Sequence, residues 1–385
     1  MTIPVRLGFD ESHELFREGV RTFLQREVVP NAEKWDRAGI IDKDLFRRAG
    51  AAGYLAFDAP EEYGGGGMAD FRYNAILTEE ATAAGVGVHV GPLNLHNDVC
   101  LPYFLDLSTD EQKARWLPGI CDGTMVTAIA MTEPTTGSDL AGIRTTAVRD
   151  GDHYVVNGSK TFISSAFNCD LVIVAVKTDP TQRHRGMSLL VADADTPGFE
   201  RGRRLEKVGQ HAWDTGELFF TDLRVPVENL LGAEGEGFTQ LVTKLPRERL
   251  YGAISALASA EAAFTLALAY AKEREAFGQP IGSFQHNRFV LAEMRTGLDI
   301  ARVFLDSQID ALNTRTLSAE TAAEAKWWTS ELAKQVVDHC LQLHGGYGYM
   351  EEYPIARLYR DVRIMTIYGG TTEIMKEIIG RSLGV

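Results

Sequence analysis

The spacing of apolar and polar residues divides the chain into three segments. In the first, from about residue 11 to residue 123, apolar side chains recur at intervals of three and four, which predicts a series of helices. The clearest run comprises Leu15, Phe16, Val20, Phe23 and Leu24. Pro30, Pro102 and a glycine run at residues 64–67 separate the helices. The glycine run is interpreted as a surface turn, because no nucleotide-binding helix follows it.

The middle segment, roughly residues 124–235, changes to short runs rich in β-branched and aromatic residues. Asp150-Gly151 and Asn157-Gly158 each lie between two such runs, and these dipeptides favour the positive φ angles of tight hairpin turns. Further apolar runs span residues 171–176 and 187–192. Strands joined this directly predict an antiparallel sandwich or barrel.

The last segment returns to helical spacing over residues 250–275, 283–312 and 318–343. Long helices with short connections predict an antiparallel bundle. A short final helix is predicted after Thr371, with Glu373 in its first turn. The pattern therefore predicts an α+β protein with three domains: a helical domain over residues 1–123, a β domain over residues 124–235 and a helical bundle over residues 236–385.

Composition and charge exclude several classes of protein. The formal net charge of the 385 residues is −14 at pH 7, so neither a nucleic acid nor an anionic membrane surface is expected as a partner. The four cysteines form no CxxC pair, which argues against a metal site or a disulfide framework and is typical of a reducing compartment. No leader sequence and no apolar stretch of membrane-spanning length is apparent. We therefore expect a soluble cytoplasmic protein without a metal and without membrane insertion.

The first β-run ends in a turn that is dense in hydroxyl groups and backbone donors. These residues are Thr132, Thr135, Thr136, Gly137 and Ser138. The turn has two interpretations. It is either an ordinary turn closed by its own side chains, or the lining of a polar planar ligand such as a flavin ring. The residue types alone do not decide between them.

Five motifs along the chain together decide in favour of the ligand. Thr132-Glu-Pro is followed by Gly137-Ser-Asp139, and Lys160-Thr-Phe-Ile-Ser164 comes shortly afterwards. Arg274 precedes Ala276-Phe-Gly278, and the chain continues with Gln342-Leu-His-Gly-Gly346 and Ile367-Tyr-Gly-Gly-Thr-Thr-Glu373. In order, spacing and wording these segments resemble the signatures of the acyl-CoA dehydrogenase family over essentially the whole chain. The resemblance implies a helical–β–helical fold, FAD as cofactor and an acyl-CoA substrate.

The resemblance also implies positions for the cofactor contacts. Residues expected at the flavin ring are Ile129, Met131, Thr132, Gly137, Ser138, Phe162 and Ser164. Residues expected at the diphosphate and adenine of an FAD shared with a neighbouring subunit are Arg274, Phe277, Gln285, Gln342, Gly345 and Gly346. Thr371 and Glu373 belong to the last signature and are expected near the flavin. A site shared between subunits implies an oligomer, by resemblance a homotetramer.

Each of the distal contacts also has an ordinary structural interpretation. Arg274 is flanked by two glutamates and would otherwise be an exposed charge at a helix. Gly345 and Gly346 would form a helix C-cap, and Phe277 would be an anchor in the core. These interpretations are compatible with cofactor contacts, because a cap also presents backbone groups to a phosphate.

The catalytic base is expected at Glu248. The chemistry needs a carboxylate that removes the α-proton of a thioester, and an ordinary glutamate with a pKa of about 4.3 is too weak a base. Burial among apolar groups would raise the pKa of the base. Many family members carry the base directly after the tyrosine of the last signature, where this chain has Gly369. Glu248-Arg249-Leu250 resembles the long-chain and isovaleryl branches, in which the base lies on the long helix.

The same branch resemblance implies roles for the neighbours of Glu248. Gly369 would donate its backbone N–H to the thioester oxygen, Arg249 would shape the pocket, and Ser138 would lie near the substrate. The alternative for Glu248 is a glutamate at a helix N-terminus, stabilised there by the helix dipole. Glu373 is the rival candidate for the base.

Three functions remain open on the sequence. The first is dehydrogenation of a saturated acyl thioester, carried by CoA or by an acyl carrier protein, with an electron-transferring flavoprotein as electron acceptor. The second is a flavin monooxygenase or oxidase with the same fold, which needs no such base. The third is a non-catalytic partner subunit. The sequence predicts neither the length nor the branching of the acyl chain.

Overall fold

A helical domain forms the first third of the computed structural model, which describes residues 6–384. Its helices are α1 Glu11–Phe23, α2 Ala32–Ala38, α3 Asp44–Ala51, α4 Arg72–Ala83, α5 Gly87–Asn94, α6 Leu101–Leu107 and α7 Asp110–Asp122. Side chains cap two of them, since Asp10 accepts from the first turn of α1 and Thr109 does so at α7. The helical spacing of the sequence is thus confirmed in this segment.

Helices α5 and α6 are joined without a break by a π-helical segment, Leu95–Cys100. A π-helical turn carries an extra residue and changes the direction in which the following side chains point. His96, Asn97 and Asp98 of this segment are all buried. The segment therefore positions α6 relative to the rest of the domain.

The middle of the chain forms one eight-stranded sheet. Its strands are β1 Thr127–Ala130, β2 Thr146–Asp150, β3 His153–Ser164, β4 Leu171–Lys177, β5 Met187–Asp193, β6 Phe199–Arg204, β7 Thr215–Pro226 and β8 Leu230–Leu231. The order is β6-β7-β3-β2-β4-β5-β8, with β1 beside β4. The prediction of a wholly antiparallel sheet is wrong, because β4 pairs in parallel with both β1 and β2.

One of the two predicted hairpin turns is confirmed and the other is wrong. Gly151 lies in the turn between β2 and β3, with a φ of 63°. Asn157-Gly158 lies inside β3, which continues through this point and pairs with β7 on both sides of a bulge. A side chain at Gly158 would place its Cβ 2.7 Å from the Cα of Thr145. This glycine therefore permits close approach of two strands.

The C-terminal part is a helical bundle, with a short two-stranded ribbon after its first helix. Its elements are α8 Gly237–Glu273, β9 Glu275–Ala276, β10 Gln279–Pro280, α9 Gln285–Asn313, α10 Ala319–His344, α11 Pro354–Val362 and α12 Thr372–Ser382. Helix α8 begins 13 residues before the predicted start and continues through Pro246. Ala253, Ala256 and Ala260 are fully buried in the bundle core, so these small residues serve helix packing.

Helix α8 meets the length and composition of a membrane-spanning helix, although inspection of the sequence predicted no such stretch. More than half of its most apolar window is buried inside the protein. A core helix of a bundle passes the same test, and α8 packs extensively on α10 and α4.

Candidate active site

Glu248 lies on α8 with its carboxylate enclosed by protein. The Tyr103 hydroxyl of α6 donates a hydrogen bond of 2.9 Å to its Oε1 atom. Burial raises the pKa of Glu248 to about 7, and the hydrogen bond from Tyr103 and the charge of Arg249 limit that rise. The residue as a whole is only half-buried. A carboxyl group with this pKa holds a proton far more strongly than an ordinary glutamate does.

The position of Glu248 within α8 does not fit the helix-terminus interpretation. Glu248 is the twelfth residue of the helix, about three turns from its start. The favourable interaction with the helix dipole is confined to the first turn. The dipole therefore does not explain a glutamate here.

Glu373 has the opposite environment. It is exposed in the first turn of α12. Hydrogen bonds from its own backbone amide and from Thr371 hold the pKa of Glu373 below its usual value. A weakly basic, solvated carboxylate is a poor proton acceptor for a thioester. The chemistry of the rival candidate is therefore less suitable than that of Glu248.

Arg249 is a buried basic group beside the candidate base, and Lys326 is a buried basic group that interacts with Arg249. Burial lowers the pKa of Arg249, and Glu248 opposes that effect. The Nε atom of Arg249 is buried and has no hydrogen-bond partner within residues 6–384. Burial and the charge of Arg249 lower the pKa of Lys326 to about 8, and its Nζ donates to the Gly370 carbonyl at 2.5 Å. Lys326 thereby ties the loop of the last signature to α10.

Gly369 lies in that loop with a φ of 62°, a conformation that side chains disfavour. It is exposed, and no described atom lies within 4 Å of the position that a Cβ would take. Tyr368 next to it interacts with Ser255 of α8. The loop and the face of α8 that carries Glu248 thus converge around open space.

A cavity of about 940 Å³ extends from this region along α8. The helix contributes residues on the face that carries Glu248, spaced at three and four: Tyr251, Ser255, Ser259 and Ala262. Val88 and Gly91 of α5, Trp213 and Tyr368 line other walls. A Cβ at Gly91 would lie 2.6 Å from the Trp213 ring, so glycine is needed for this wall to close.

Paired charges line the distal part of the same cavity. Arg302 of α9 binds Glu79 of α4 at 2.6 Å and also pairs with Glu261 of α8. Arg6 binds Glu79 at 2.9 Å and Asp306 at 2.8 Å. Burial alone would raise the pKa of Glu79, but Arg302 and Arg6 lower it to about 2. The lining therefore changes from largely apolar around Tyr251 to ionic at Glu261.

The residues predicted at the flavin ring come together where β1 ends beside β3. Lys160 of β3 donates to the Met131 carbonyl at 3.0 Å, and the Thr161 amide donates to the Thr132 carbonyl at 2.9 Å. Phe162 has a φ of 59° and is 67% exposed, so the structure leaves an aromatic face uncovered at this edge. An uncovered aromatic face beside polar backbone fits a planar heteroaromatic ring.

The other predicted ring contacts differ in exposure. Ile129 is buried in a core cluster, and Ser164 is half-buried at the end of β3. Gly137 and Ser138 are exposed on the loop that follows β1. Buried Glu133 fixes the base of this loop by accepting from the Arg144 and Thr145 amides at 2.6 and 2.9 Å and from Lys160 at 2.9 Å.

A second cavity of about 460 Å³ is lined by three of the six residues predicted at the diphosphate and adenine, namely Arg274, Gly345 and Gly346. Arg274 is exposed there, with its guanidinium 5.9 Å from the Tyr347 ring, and its side chain makes no hydrogen bond or ion pair within residues 6–384. Gly345 has a φ of 58° and caps α10 through a bond to the Gln342 carbonyl, so the cap interpretation is also correct. A guanidinium without an ion pair beside the glycine cap of α10 suits an anionic diphosphate.

Phe277 is 96% exposed, so its interpretation as a core anchor is wrong. Its ring lies edge-on to that of Phe284, with the ring centroids 6.2 Å apart, and exposed Gln285 follows Phe284 at the start of α9. Thr371 caps α12 by accepting from the Ile374 amide. Phe277 and Gln285 therefore lie at the surface of one chain.

Sequence reasoning missed four residues that shape the site: Tyr103, Trp213, Tyr251 and Lys326. Tyr251 was detectable, because it lies one helical turn after Glu248. The other three come from separate segments and carry no local signal. Only the folded chain brings them to α8 or to the loop of the last signature.

Known proteins resemble this chain over all three of its domains. Models of the acyl-CoA dehydrogenase N-terminal, middle and C-terminal domains match residues 10–124, 128–223 and 235–384. The mitochondrial long-chain specific acyl-CoA dehydrogenase of Sus scrofa is 42% identical over 384 residues, which are 99% of this chain and 88% of that relative. An acyl-CoA dehydrogenase crystal structure from Geobacillus kaustophilus has a TM-score of 0.97 at 48% identity, covering 99% of this chain and 100% of its own. The crystal structure of a glutaryl-CoA dehydrogenase from Mycobacterium smegmatis in complex with FADH2 has a TM-score of 0.90 at 26% identity. The match covers 97% of this chain and 95% of the glutaryl-CoA dehydrogenase chain.

Proposed function

Because the chain belongs to the acyl-CoA dehydrogenase family, we propose that Glu248 is the base with which it removes the α-proton of its substrate. The protein is an FAD-dependent oxidoreductase that dehydrogenates acyl-CoA, introducing a double bond between the α and β carbons. The observation that supports Glu248 is its buried carboxylate, whose pKa is raised to about 7, one helical turn before Tyr251, where a cavity of about 940 Å³ opens along α8.

Different residues of the chain remove the proton and stabilise the developing negative charge. Bound FAD supplies the acceptor for the hydride that leaves the β-carbon. Glu248 takes the α-proton, and the enclosure that raises its pKa makes it a sufficiently strong base. The Gly369 amide donates a hydrogen bond to the thioester oxygen and stabilises the negative charge that develops there. The positive charge of buried Arg249 beside Glu248 favours the deprotonated base.

The chain's own groups fit FAD at both ends of the cofactor. Thr132 and exposed Phe162 provide polar backbone and an aromatic face for the ring. Arg274, beside the helix cap at Gly345 and Gly346, provides the positive charge for the diphosphate. We propose both the ring contacts and the diphosphate contacts as the FAD site of this chain.

The dimensions of the cavity favour a long acyl chain. Glu248 and Glu261 are thirteen residues apart on α8, about 20 Å along the helix axis. An extended chain advances about 1.2 Å per bond, so roughly 16 bonds fit between the base and the paired charges. We infer a long, unbranched acyl-CoA as the preferred substrate, and a carrier-protein thioester as an alternative form of it.

Assembly and partners are also proposed. Phe277 and Tyr349 are 96% and 82% exposed on the C-terminal bundle, and Phe289 is 57% exposed. Large exposed aromatic residues are typical of subunit contacts. We propose a cytoplasmic homotetramer in which this surface meets a neighbouring chain and its FAD. An electron-transferring flavoprotein is proposed as electron acceptor.

The test of Glu248 is anaerobic flavin reduction by acyl-CoA in rapid-mixing experiments. Glu248→Gln removes the base and keeps the shape of the side chain, so the reduction rate is expected to fall by about 10³-fold or more. Glu273→Gln, an exposed position on the same helix, is the matched control and retains the rate. A Glu248→Gln rate within a few-fold of the parent protein would exclude Glu248 as the base. Rapid consumption of oxygen by the reduced protein would favour the oxidase alternative.

A further inference from the structure

Tyr103 is a fully buried tyrosine whose hydroxyl has one partner in the described chain, the Oε1 atom of Glu248. A buried hydroxyl without a partner costs stability, whereas phenylalanine would fill the same space without that cost. Burial raises the pKa of Tyr103 well above its usual value, and the Glu248 charge adds to this rise. The phenol therefore stays protonated and donates to Glu248 when that group is a carboxylate.

The backbone that carries Tyr103 is fixed by the π-helical segment before it. His96 contacts the Ile120 carbonyl at 2.9 Å, and Asn97 accepts from the Ala56 amide at 2.8 Å. Asn74 of α4 donates to the Asp98 carboxylate. Three consecutive side chains thus attach this segment to three separate parts of the protein, which leaves the phenol little freedom to move.

The hydrogen bond from Tyr103 makes the two carboxylate oxygens of Glu248 different from each other. Oε1 accepts from Tyr103, while Oε2 makes no hydrogen bond with residues 6–384. A carboxylate held by one oxygen keeps its other oxygen at a defined place, which proton transfer requires.

We propose that Tyr103 is a positioning residue that holds the catalytic carboxylate of Glu248 in its reactive orientation and favours its deprotonated form. This inference rests on the proposed role of Glu248. Tyr103 is not a catalytic residue in the strict sense, since its hydroxyl acts on the base and not on the substrate. The proton acceptor is then Oε2.

The direction of the effect on proton affinity follows from the donor. A hydrogen bond donated to a carboxylate stabilises its charged form and lowers its pKa. The other titratable groups that interact with Glu248 are Arg249, which also lowers its pKa, and Cys100, whose own pKa is raised so far by burial that the thiol stays neutral. Loss of the Tyr103 hydroxyl therefore leaves only Arg249 to oppose burial, and the pKa of Glu248 rises.

The experiment compares Tyr103→Phe with Tyr154→Phe in the FAD-loaded protein. Tyr154 is also buried but lies on β3, so it controls for the loss of a buried hydroxyl. The first measurement is infrared titration of the protonated carboxyl band. Its Glu248 component is assigned by subtraction of the Glu248→Gln spectrum, because burial also raises the pKa of Asp98 to about 7. The second measurement is the pH profile of anaerobic flavin reduction.

In Tyr103→Phe we expect the Glu248 titration and the acidic limb of the rate profile to move upward together by about one pH unit. We also expect a fall in the limiting rate above that limb, because the carboxylate is less well oriented. Tyr154→Phe leaves both unchanged. An unmoved Glu248 band would overturn the proposal, as would a Tyr103→Phe protein that reduces its flavin faster than the parent. Normal flavin reduction in Glu248→Gln would instead disprove the base itself, whatever the infrared result.

Discussion

At the scale of single residues, Glu248 meets two opposing demands. A base for a thioester α-proton needs a high proton affinity, yet it must be deprotonated when the substrate binds. A pKa of about 7 satisfies both near neutral pH, and it arises because burial outweighs the contributions of Tyr103 and Arg249.

This balance predicts the pH dependence of the reaction. Because only the deprotonated carboxylate accepts the proton, kcat/KM is expected to rise about tenfold per pH unit below pH 7 and to level off above it. The measurement is steady-state kinetics from pH 5.5 to 9 with a long-chain acyl-CoA. Glu373→Gln should give the same profile. An acidic limb of the kcat/KM profile centred near the ordinary glutamate pKa would contradict the proposal that the base is enclosed.

The same enclosure costs stability. The folded-state pKa of Glu248, about 7, is above its ordinary value of 4.5, so the folded protein binds this proton more tightly than the unfolded chain. Stability is therefore lost as the pH rises from about 4.5 to about 7. Glu248→Gln should melt at a higher temperature than the parent at pH 8 and at nearly the same temperature at pH 5. A difference in melting temperature that does not vary with pH would refute this account.

At the scale of elements, three helices are joined through one buried arginine and its ion pairs. Arg302 of α9 connects Glu79 of α4 with Glu261 of α8, and the Arg302 and Glu79 side chains are 5% and 9% exposed. Removing one partner of a buried pair leaves the other charge uncompensated, which typically costs about 3–5 kcal/mol.

Arg302→Leu is accordingly expected to reduce the free energy of unfolding by about 3 kcal/mol or more. Arg21→Leu removes a 2.6 Å pair to Glu80 from a side chain that is 59% exposed, and should cost less than about 1 kcal/mol. Since the pKa of Glu79 is lowered from 4.5 to about 2, the Arg302 contribution is complete above pH 4.5 and is lost as the pH falls towards 2. Urea unfolding at pH 7 and pH 3 measures both effects. Equal losses in the two variants would contradict a buried network.

Some elements of the fold could be predicted from the sequence better than others. Local spacing and caps predicted the helices of the bundle, because that information lies within a few residues of each boundary. Asn157-Gly158 was misassigned because a glycine within a strand also marks a bulge, and only the pairing of β3 with β7 distinguishes a bulge from a turn here. The start of α8 was missed because Pro246 argues locally for a boundary, while packing in the bundle carries the helix through it.

The candidate site likewise contains residues that short motifs predict and residues that only distant contacts reveal. The family motifs led to Glu248 and Gly369 as candidates, since both belong to short segments. Tyr103 was not predictable, because its contact with Glu248 joins positions 145 residues apart. The pKa of Glu248 likewise depends on burial by distant segments.

At the scale of the whole molecule, the proposed tetramer makes the cofactor depend on assembly. Phe277→Ser is expected to lower the sedimentation coefficient from that of four 42.4 kDa chains and to release FAD, because the aromatic surface would no longer meet its neighbour. Val208→Ser, at another apolar position that is 76% exposed, is the control. The measurements are analytical ultracentrifugation and the flavin-to-protein absorbance ratio. A Phe277→Ser protein with full flavin content and unchanged mass would remove the support for this surface as a contact.

The transition from apolar to ionic lining along the acyl cavity has a thermodynamic consequence. Transfer of each methylene from water into the apolar part makes the heat capacity change of binding more negative. Once the chain reaches Glu79 and Arg302, further methylenes meet charged groups and their water, and this increment should vanish. Calorimetry over a series of acyl-CoA lengths would then show a break, and its position would report how many carbons the protein removes from solvent.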